Sequence, residues 1–185
     1  MEEYSDEHIL QLLQESTRFE EGFRLLVRQY QERLYWLVRK MVLNHDDTND
    51  VLQNVFIKVH RNIQQFEGKS KLYTWLYRIA TNETLTFLDR QKKRKVLGLE
   101  DTETNIANNL QADEYFDGDE AQIKLQIALK QLPPKQQLVF SMRYYEELSY
   151  NEISQILETS VGALKASYHH AVKKVETHLR LIAED

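Results

Sequence analysis

The chain has 185 residues, a formal net charge of −5 and no cysteine. It therefore has room for one domain or two small ones, and it forms no disulfide and no thiolate metal site. Five glycines and two prolines, among abundant Leu, Gln, Glu and Lys, favour helix over sheet. The opening "MEEYSDEHIL" is acidic and polar, without the basic start and apolar core of a signal peptide. No run reaches the ~18 apolar residues of a membrane span, so no membrane insertion and a cytoplasmic location are expected.

Phe19, Phe23, Leu26, Tyr30, Leu34, Leu37 and Met41 recur every three or four residues and predict one apolar stripe on a long helix. The polar turn "NHDDTND" follows, with Asp46 or Asp47 available as N-cap. A second stripe runs through Val51, Leu52, Val55, Phe56, Val59 and Ile63, and "QQFEGKSK" interrupts it at Gly68. A third helix starts near Ser70 or Leu72, with Leu72, Leu76, Ile79 and Glu83 along one side and Leu85 and Leu88 beyond. It ends in "DRQKKRK", where cations suit the macrodipole.

The segment "KSKLYTWLYRIATNETLTFLDRQKKRK" carries Lys69, Lys71, Arg78, Arg90, Lys92, Lys93, Arg94 and Lys95 against Glu83 and Asp89. Tyr73, Trp75 and Tyr77 are interleaved with them. Cations that track phosphates and aromatics that offer stacking faces suit a nucleic-acid single strand. Trp75 shares the Leu76 and Ile79 side and reads as core, which leaves Tyr73 and Tyr77 as stacking platforms.

Residues 96–120 contain eight Asp/Glu and no Lys/Arg. The flanking segments 1–95 and 121–185 are each mildly basic, so the whole-chain charge hides two halves compatible with a polyanion. The acidic segment is polar and aperiodic and reads as an extended linker. This charge pattern also permits a closed form in which the linker covers a DNA-binding face.

A short helix follows from about Ala121 to Gln131, and "LPPKQQ" stops it, with Pro134 suited to open the next. That next helix carries Leu138, Val139 and Met142. "SYNE" is a capping box, Ser149 answered by Glu152; Ile153, Ile156 and Leu157 form the buried side beyond it. After "ETS" a last helix runs to about Ala183, burying Val161, Leu164, Tyr168, Ala171, Val175 and Leu179. Two helices joined by so short a turn describe a helix-turn-helix. The outward face of the last helix carries Gly162, Ala163, Lys165, Ala166, His169, His170 and Lys173, small at its start and cationic further on. Small residues let a helix backbone approach a groove floor. Ser160 can cap this helix, whose free N–H groups can hold a phosphate. His169 and His170 can donate to a phosphate or a base edge, although either one alone reads first as a plain surface histidine, and no third ligand at metal spacing stands near them.

The stretches "DDTNDVLQNVFIKVHRNIQQFEGKSKLYTWLYRIATNETLTFLDRQKKR" and "LPPKQQLVFSMRYYEELSYNEISQILETSVGALKASYHHAVKKV" resemble the two conserved domains of bacterial RNA polymerase sigma factors of the extracytoplasmic-function (ECF) group. The resemblance spans roughly residues 16–182. It implies an all-α chain of two small helical domains, 1–95 and 121–185, joined by the linker 96–120, the second a helix-turn-helix. It implies a factor, not an enzyme and without cofactor, that binds core RNA polymerase through its clamp helices and flap and directs promoter-specific initiation. It implies that Asp50, Gln53, Asn54, Lys58 and Arg61 face the clamp helices. It implies that Phe66, Lys69, Ser70, Lys71, Tyr73, Arg78 and Asn82 hold the melted minus-ten strand. The outward face of the last helix, with Ser160, would read the minus-thirty-five duplex. An anti-sigma factor is an expected partner, and the linker would lie in the polymerase's RNA exit path.

The family commonly places arginines in the last helix, in a pattern like "GTVKSRLHRAR"; here "GALKASYHHAV" puts Ser167 and His170 at two of those positions. That departure predicts a light grip on duplex DNA, resting on Lys165 and His169, with pH sensitivity in the histidine range. It also keeps open a second reading, a sigma-like decoy that binds an anti-sigma factor or polymerase without reading DNA.

Overall fold

The computed structural model describes residues 4–96 and 120–184, and all its regular elements are helical. In chain order these are α1 (Asp6–Gln14), α2 (Phe19–Val42), α3 (His45–Asn62), a 3-10 turn (Ile63–Gln65), α4 (Leu72–Val96), α5 (Glu120–Lys130), α6 (Pro134–Tyr144), α7 (Tyr150–Leu157) and α8 (Val161–Glu184). Of the expected linker 96–120, Val96 ends α4 and Glu120 opens α5, and the rest lies outside the described residues.

Helix α1 is a finding that the sequence reading passed over. Ser5 caps it by accepting from the His8 N–H at 3.2 Å, and Ile9, Leu12 and Leu13 are its buried side. It crosses α2 at Gly22. A Cβ added there would lie 2.8 Å from Leu12 Cβ and 2.9 Å from the Leu13 nitrogen, so glycine is what allows the two backbones to touch. The crossing is closed by polar groups: Asp6 accepts from the Tyr30 hydroxyl at 2.6 Å and from Gln29 Nε2 at 3.2 Å. Burial, then this hydrogen bond, holds the Tyr30 phenol well above its ordinary range.

Helix α2 follows its predicted stripe, with Leu26, Tyr30, Leu34, Leu37 and Met41 buried. Glu20 and Glu21 in its first turn and Arg39 and Lys40 in its last complement the macrodipole. It stops at Leu43, which sits in the left-handed region at φ 67°. The N-cap of α3 is Asn44, not Asp46 or Asp47: its side chain accepts from the Asp47 N–H at 2.9 Å. The two aspartates instead occupy the first turn, where their charge meets the positive end of the helix. Gly68 takes φ +70°, a conformation other residues adopt at a cost, and so turns the chain into α4.

Helix α4 buries Leu72, Leu76, Tyr77 and Ala80 together with Thr74, Thr81 and Thr84. Thr81 and Thr84 donate their hydroxyls to the Arg78 and Ala80 carbonyls of the same helix, at 3.0 and 2.7 Å. Ile79, expected in the buried stripe, is only half-buried.

In the second half, Pro134 opens α6, and the capping box at α7 is complete. The Glu152 N–H donates to Ser149 Oγ at 3.2 Å, and the Ser149 N–H donates to Glu152 Oε2 at 2.8 Å. Glu158, at φ 51°, makes the turn into α8. Leu164, Ala171 and Val175 of α8 are buried, as the helical spacing predicts. Ala171 and Val175 join Ala128, Leu129, Leu132 and Phe140 in a core of this half's own.

The two halves are packed together. Leu138, Val139, Met142, Ile153, Ile156 and Leu164 belong to the same buried cluster as Leu34, Val55, Leu72 and Leu76. Helix α2 meets α6, and α4 meets α7.

Candidate nucleic-acid interface

Asp50, Gln53, Asn54, Lys58 and Arg61 are all exposed along α3. The structure divides them. Lys58 is drawn to Glu83 of α4 in an ion pair, and Asn54 donates to the Asp50 carbonyl of its own helix at 2.9 Å. Gln53 and Arg61 flank an open apolar groove between α2 and α3, about 410 Å3, floored by Phe23, Val27, Phe56 and Ile57. Ile57 is 42 % exposed, a large apolar side chain left at the surface. His60 stands edge-on to Phe19 and Phe23, with centroids 5.1 and 4.8 Å away. The sequence reading took only the polar residues of this face. Its apolar floor was missed because Phe23 and Phe56 also fit the buried stripes.

The residues assigned to a melted strand gather around the turn into α4. Phe66 packs against Trp75, centroids 5.4 Å apart, and both are half-buried. Lys69 is exposed and pairs with Glu67; Ser70 is half-buried. Lys71 is exposed, its ammonium 5.9 Å from the Tyr73 ring centroid. Tyr73 and Tyr77 meet edge-to-face at 5.9 Å. Tyr77, however, is not an open platform. It is 4 % exposed, and its hydroxyl donates to Glu146 Oε2 at 3.3 Å. The helical wheel of the first half alone places Tyr77 outward, and the second half covers it.

The same covering reaches Tyr73 and Arg78. The Tyr73 hydroxyl donates to Glu152 Oε1 at 2.8 Å. Arg78 donates to the Gln155 carbonyl at 2.6 Å and pairs with Glu158 at 3.0 Å. Asn82 is exposed at the rim of a cavity of about 330 Å3 between the halves, which Leu138, Ile156 and Ala163 also line. Helix α7 thus covers a face of α4; the closed form expected from the charge pattern, with the linker over a DNA-binding face, lies outside the described residues.

In α8, Ser160, Gly162, Ala163, Lys165, Ala166, His169, His170 and Lys173 are all exposed. Ser160 Oγ accepts from the Ala163 N–H at 3.3 Å, which caps the helix as expected. The Lys165 ammonium stands 5.8 Å from the Tyr150 ring centroid, and the rings of His169 and His170 meet at 5.9 Å. Three small side chains and a cation on an uncovered, capped helix end make a surface able to approach a groove and hold a phosphate.

Among the described residues, no group of three or more His, Asp or Glu is placed to hold a metal ion, and no helix is long and apolar enough to cross a membrane.

Comparison with known proteins matches both halves. Residues 26–94 fit the model of Sigma-70 region 2, and residues 122–175 fit Sigma-70 region 4. The ECF RNA polymerase sigma factor SigW of Bacillus subtilis is 30% identical over 169 residues, covering 87% of this chain and 90% of that protein. SigX of the same organism is 30% identical over 170 residues, covering 90% and 88%. The ECF RNA polymerase sigma-E factor of Haemophilus influenzae is 28% identical over 187 residues, covering 97% of each. Among solved structures, CnrH in complex with the cytosolic domain of CnrY gives a TM-score of 0.68 at 19% identity, covering 95% of this chain and 97% of that one. The sigma factor RpoE in complex with the anti-sigma factor NepR, from Bartonella quintana, gives 0.67 at 20%, covering 86% and 98%. These two similarities concern the fold. With both sigma regions in order and relatives matched along nearly their whole length, the chain belongs to the ECF RNA polymerase sigma factors.

Proposed function

We infer that this protein binds core RNA polymerase and directs it to promoters, acting in the cytoplasm and carrying out no chemical step itself. The observation that carries this reading is the pairing of region 2 with a region 4 whose α8 is capped and uncovered on its Gly162, Ala163 and Lys165 side.

Residues 1–95 form the unit that docks on polymerase and holds the minus-ten strand. Residues 121–185 read the minus-thirty-five duplex, and 96–120 connect them within the RNA exit path. On α3 the docking face combines the polar Asp50, Gln53, Asn54, Lys58 and Arg61 with the apolar groove at Ile57. Apolar floors with polar rims are how specific interfaces are built. The clamp helices fill that groove, and the polymerase flap holds the second domain.

The strand is held by Phe66, Lys69, Ser70, Lys71, Tyr73, Arg78 and Asn82. Extruding a base costs a few kcal/mol of unstacking, and Lys71 beside the Tyr73 ring offers stacking with a cation at hand. Ser160, Gly162, Ala163, Lys165, Ala166, His169, His170 and Lys173 meet the duplex. An anti-sigma factor is the regulatory partner, by analogy with the complex of RpoE and NepR.

Run-off transcription with core polymerase tests the assignment. Promoter-specific transcripts are expected. Core binding without transcripts would mark a decoy, a reading motivated by the arginine-poor α8. Duplex binding without core binding would mark a plain helix-turn-helix repressor.

A further inference from the structure

Three glutamates of the second domain reach across the seam to the first. Glu146 Oε1 accepts from the Lys40 ammonium at 2.8 Å, and its Oε2 accepts from the Tyr77 hydroxyl at 3.3 Å. Glu152 accepts from Tyr73 at 2.8 Å, and Lys71 lies close enough to help hold its carboxyl ionised. Glu158 pairs with Arg78 at 3.0 Å. On the first-domain side, Lys40, Lys71, Tyr73, Tyr77 and Arg78 are thus all donors or cations, and three of them are already assigned to the melted strand. On the opposite side stand carboxylates. Phosphate oxygens are recognised by the same donors and the same charge.

We propose that Glu146, Glu152 and Glu158 occupy the places of strand phosphates, so that the second domain is an internal competitor of the melted strand. The proposal rests on the sigma-factor reading above and adds Lys40 and Tyr77 to the strand-binding face. Lys40 carries the charge, half-buried between Glu146 and the Tyr145 ring, whose centroid is 4.6 Å away. Tyr77 donates its hydroxyl once the seam parts.

The seam carries polar contacts that a strand's phosphates could replace. It is rich in polar contacts, since Lys130 donates to the Met41 carbonyl at 2.8 Å and Gln137 to the Lys40 carbonyl at 3.2 Å in addition to those above. The seam also buries apolar contact, with Leu138, Ile153 and Ile156 in one cluster with Leu72 and Leu76, so its opening is what the energy-transfer experiment below reads. It is also imperfectly filled. The 330 Å3 cavity lies within it, and Arg78 Nε is buried without a hydrogen-bond partner. Free protein in the closed state would therefore bind a strand only through its open fraction, which raises the apparent Kd by the inverse of that fraction.

The absence of cysteine permits a direct test on the full chain. Gln64→Cys and Glu176→Cys, both at exposed positions, accept a donor–acceptor dye pair. Energy transfer and the affinity for a fluorescein-labelled oligothymidine are then read in parallel, without polymerase. E146Q/E158Q leaves the α7 capping box untouched and keeps hydrogen-bonding shape. Transfer should fall, and strand affinity should rise about tenfold as the competent fraction grows. Oligothymidine added to the parent should lower transfer, and added salt should do the same. The charge swap K40E/E146K should restore transfer yet leave strand binding weak, which assigns Lys40 to the strand. Unchanged transfer in E146Q/E158Q would overturn the latch. Lost transfer without a gain in strand affinity would overturn the phosphate stand-in. Failure of the parent protein to direct run-off transcription would strike the sigma-factor reading, independently of both.

Discussion

Tyr73 of α4 donates its hydroxyl to Glu152 of α7 at 2.8 Å, joining an aromatic proposed for the melted strand to the residue that caps the helix-turn-helix. Glu152 thus has two tasks. Its carboxyl is held below the ordinary carboxylate range by the Ser149 hydroxyl first, then the Ser149 N–H, then Tyr73. The phenol of Tyr73 is pushed upward by burial first and by that same carboxylate second.

The sign of the acid response follows. A carboxyl with a depressed folded value stabilises the fold above the unfolded value of about 4.3, and the contribution is lost as pH falls through the lower folded value. Lowering pH through the carboxylate range should therefore loosen the α7 cap and the Tyr73 contact together. Ser149→Ala should lose part of this response and cost about 0.5–2 kcal/mol, the usual range for a lost cap. Urea denaturation across that pH range measures both.

Gly22→Ala should destabilise the fold although alanine is the better helix former. The propensity gain is at most about 1 kcal/mol. Against it stands a Cβ 2.8 Å from Leu12 Cβ and 2.9 Å from a backbone nitrogen, which forces α1 away from α2. A loss of about 1–3 kcal/mol is expected, the usual cost of overpacking. The readout is a lower denaturation midpoint at unchanged slope.

Ile57→Asp should leave stability within about 0.5 kcal/mol, because exposed positions tolerate substitution. Ile57 is 42 % exposed on the floor of the open α3 groove. Its affinity for core polymerase should fall at least tenfold, since a charge would be desolvated on an apolar floor. Pull-down and titration against core polymerase, beside a thermal melt, separate the two effects.

His170→Arg should strengthen binding to minus-thirty-five duplex. His170 is exposed on α8, and an arginine there adds a permanent charge able to reach a phosphate. The slope of log affinity against log salt should steepen by about 0.9, one counterion's worth. Lys165→Ala should move the slope the other way by the same amount. Fluorescence anisotropy over a salt series reads both changes.

Glu147→Gly should stabilise the turn before α7 by about 0.5–1 kcal/mol by relieving a left-handed residue. Glu147 sits at φ 53° with Arg143 donating to its carbonyl at the limit of hydrogen-bonding distance, 3.5 Å. Unlike Glu146, it has no partner across the seam among the described contacts, so energy transfer between the domains should stay unchanged.

The sequence by itself determined helices α2 to α8, the capping box at Ser149 and Glu152, and the outward face of α8. These features rest on contacts between residues three or four apart, and such contacts are written in the spacing of side chains. The family was legible for the same reason, in ordered blocks that carry those spacings. The tertiary structure alone decided three things. Helix α1 depends on a glycine in another helix, so its own short stripe gives little warning. Helix α4 buries Thr74, Thr81 and Thr84, whose polarity obscures its periodicity until the Thr81 and Thr84 hydroxyls are seen to bond within the helix. The fate of Tyr73, Tyr77 and Arg78 was hidden because their partners Glu152, Glu146, Gln155 and Glu158 lie some 70 to 80 positions along the chain. No local pattern links donors and acceptors at that separation; only the packing of α7 on α4 brings them together.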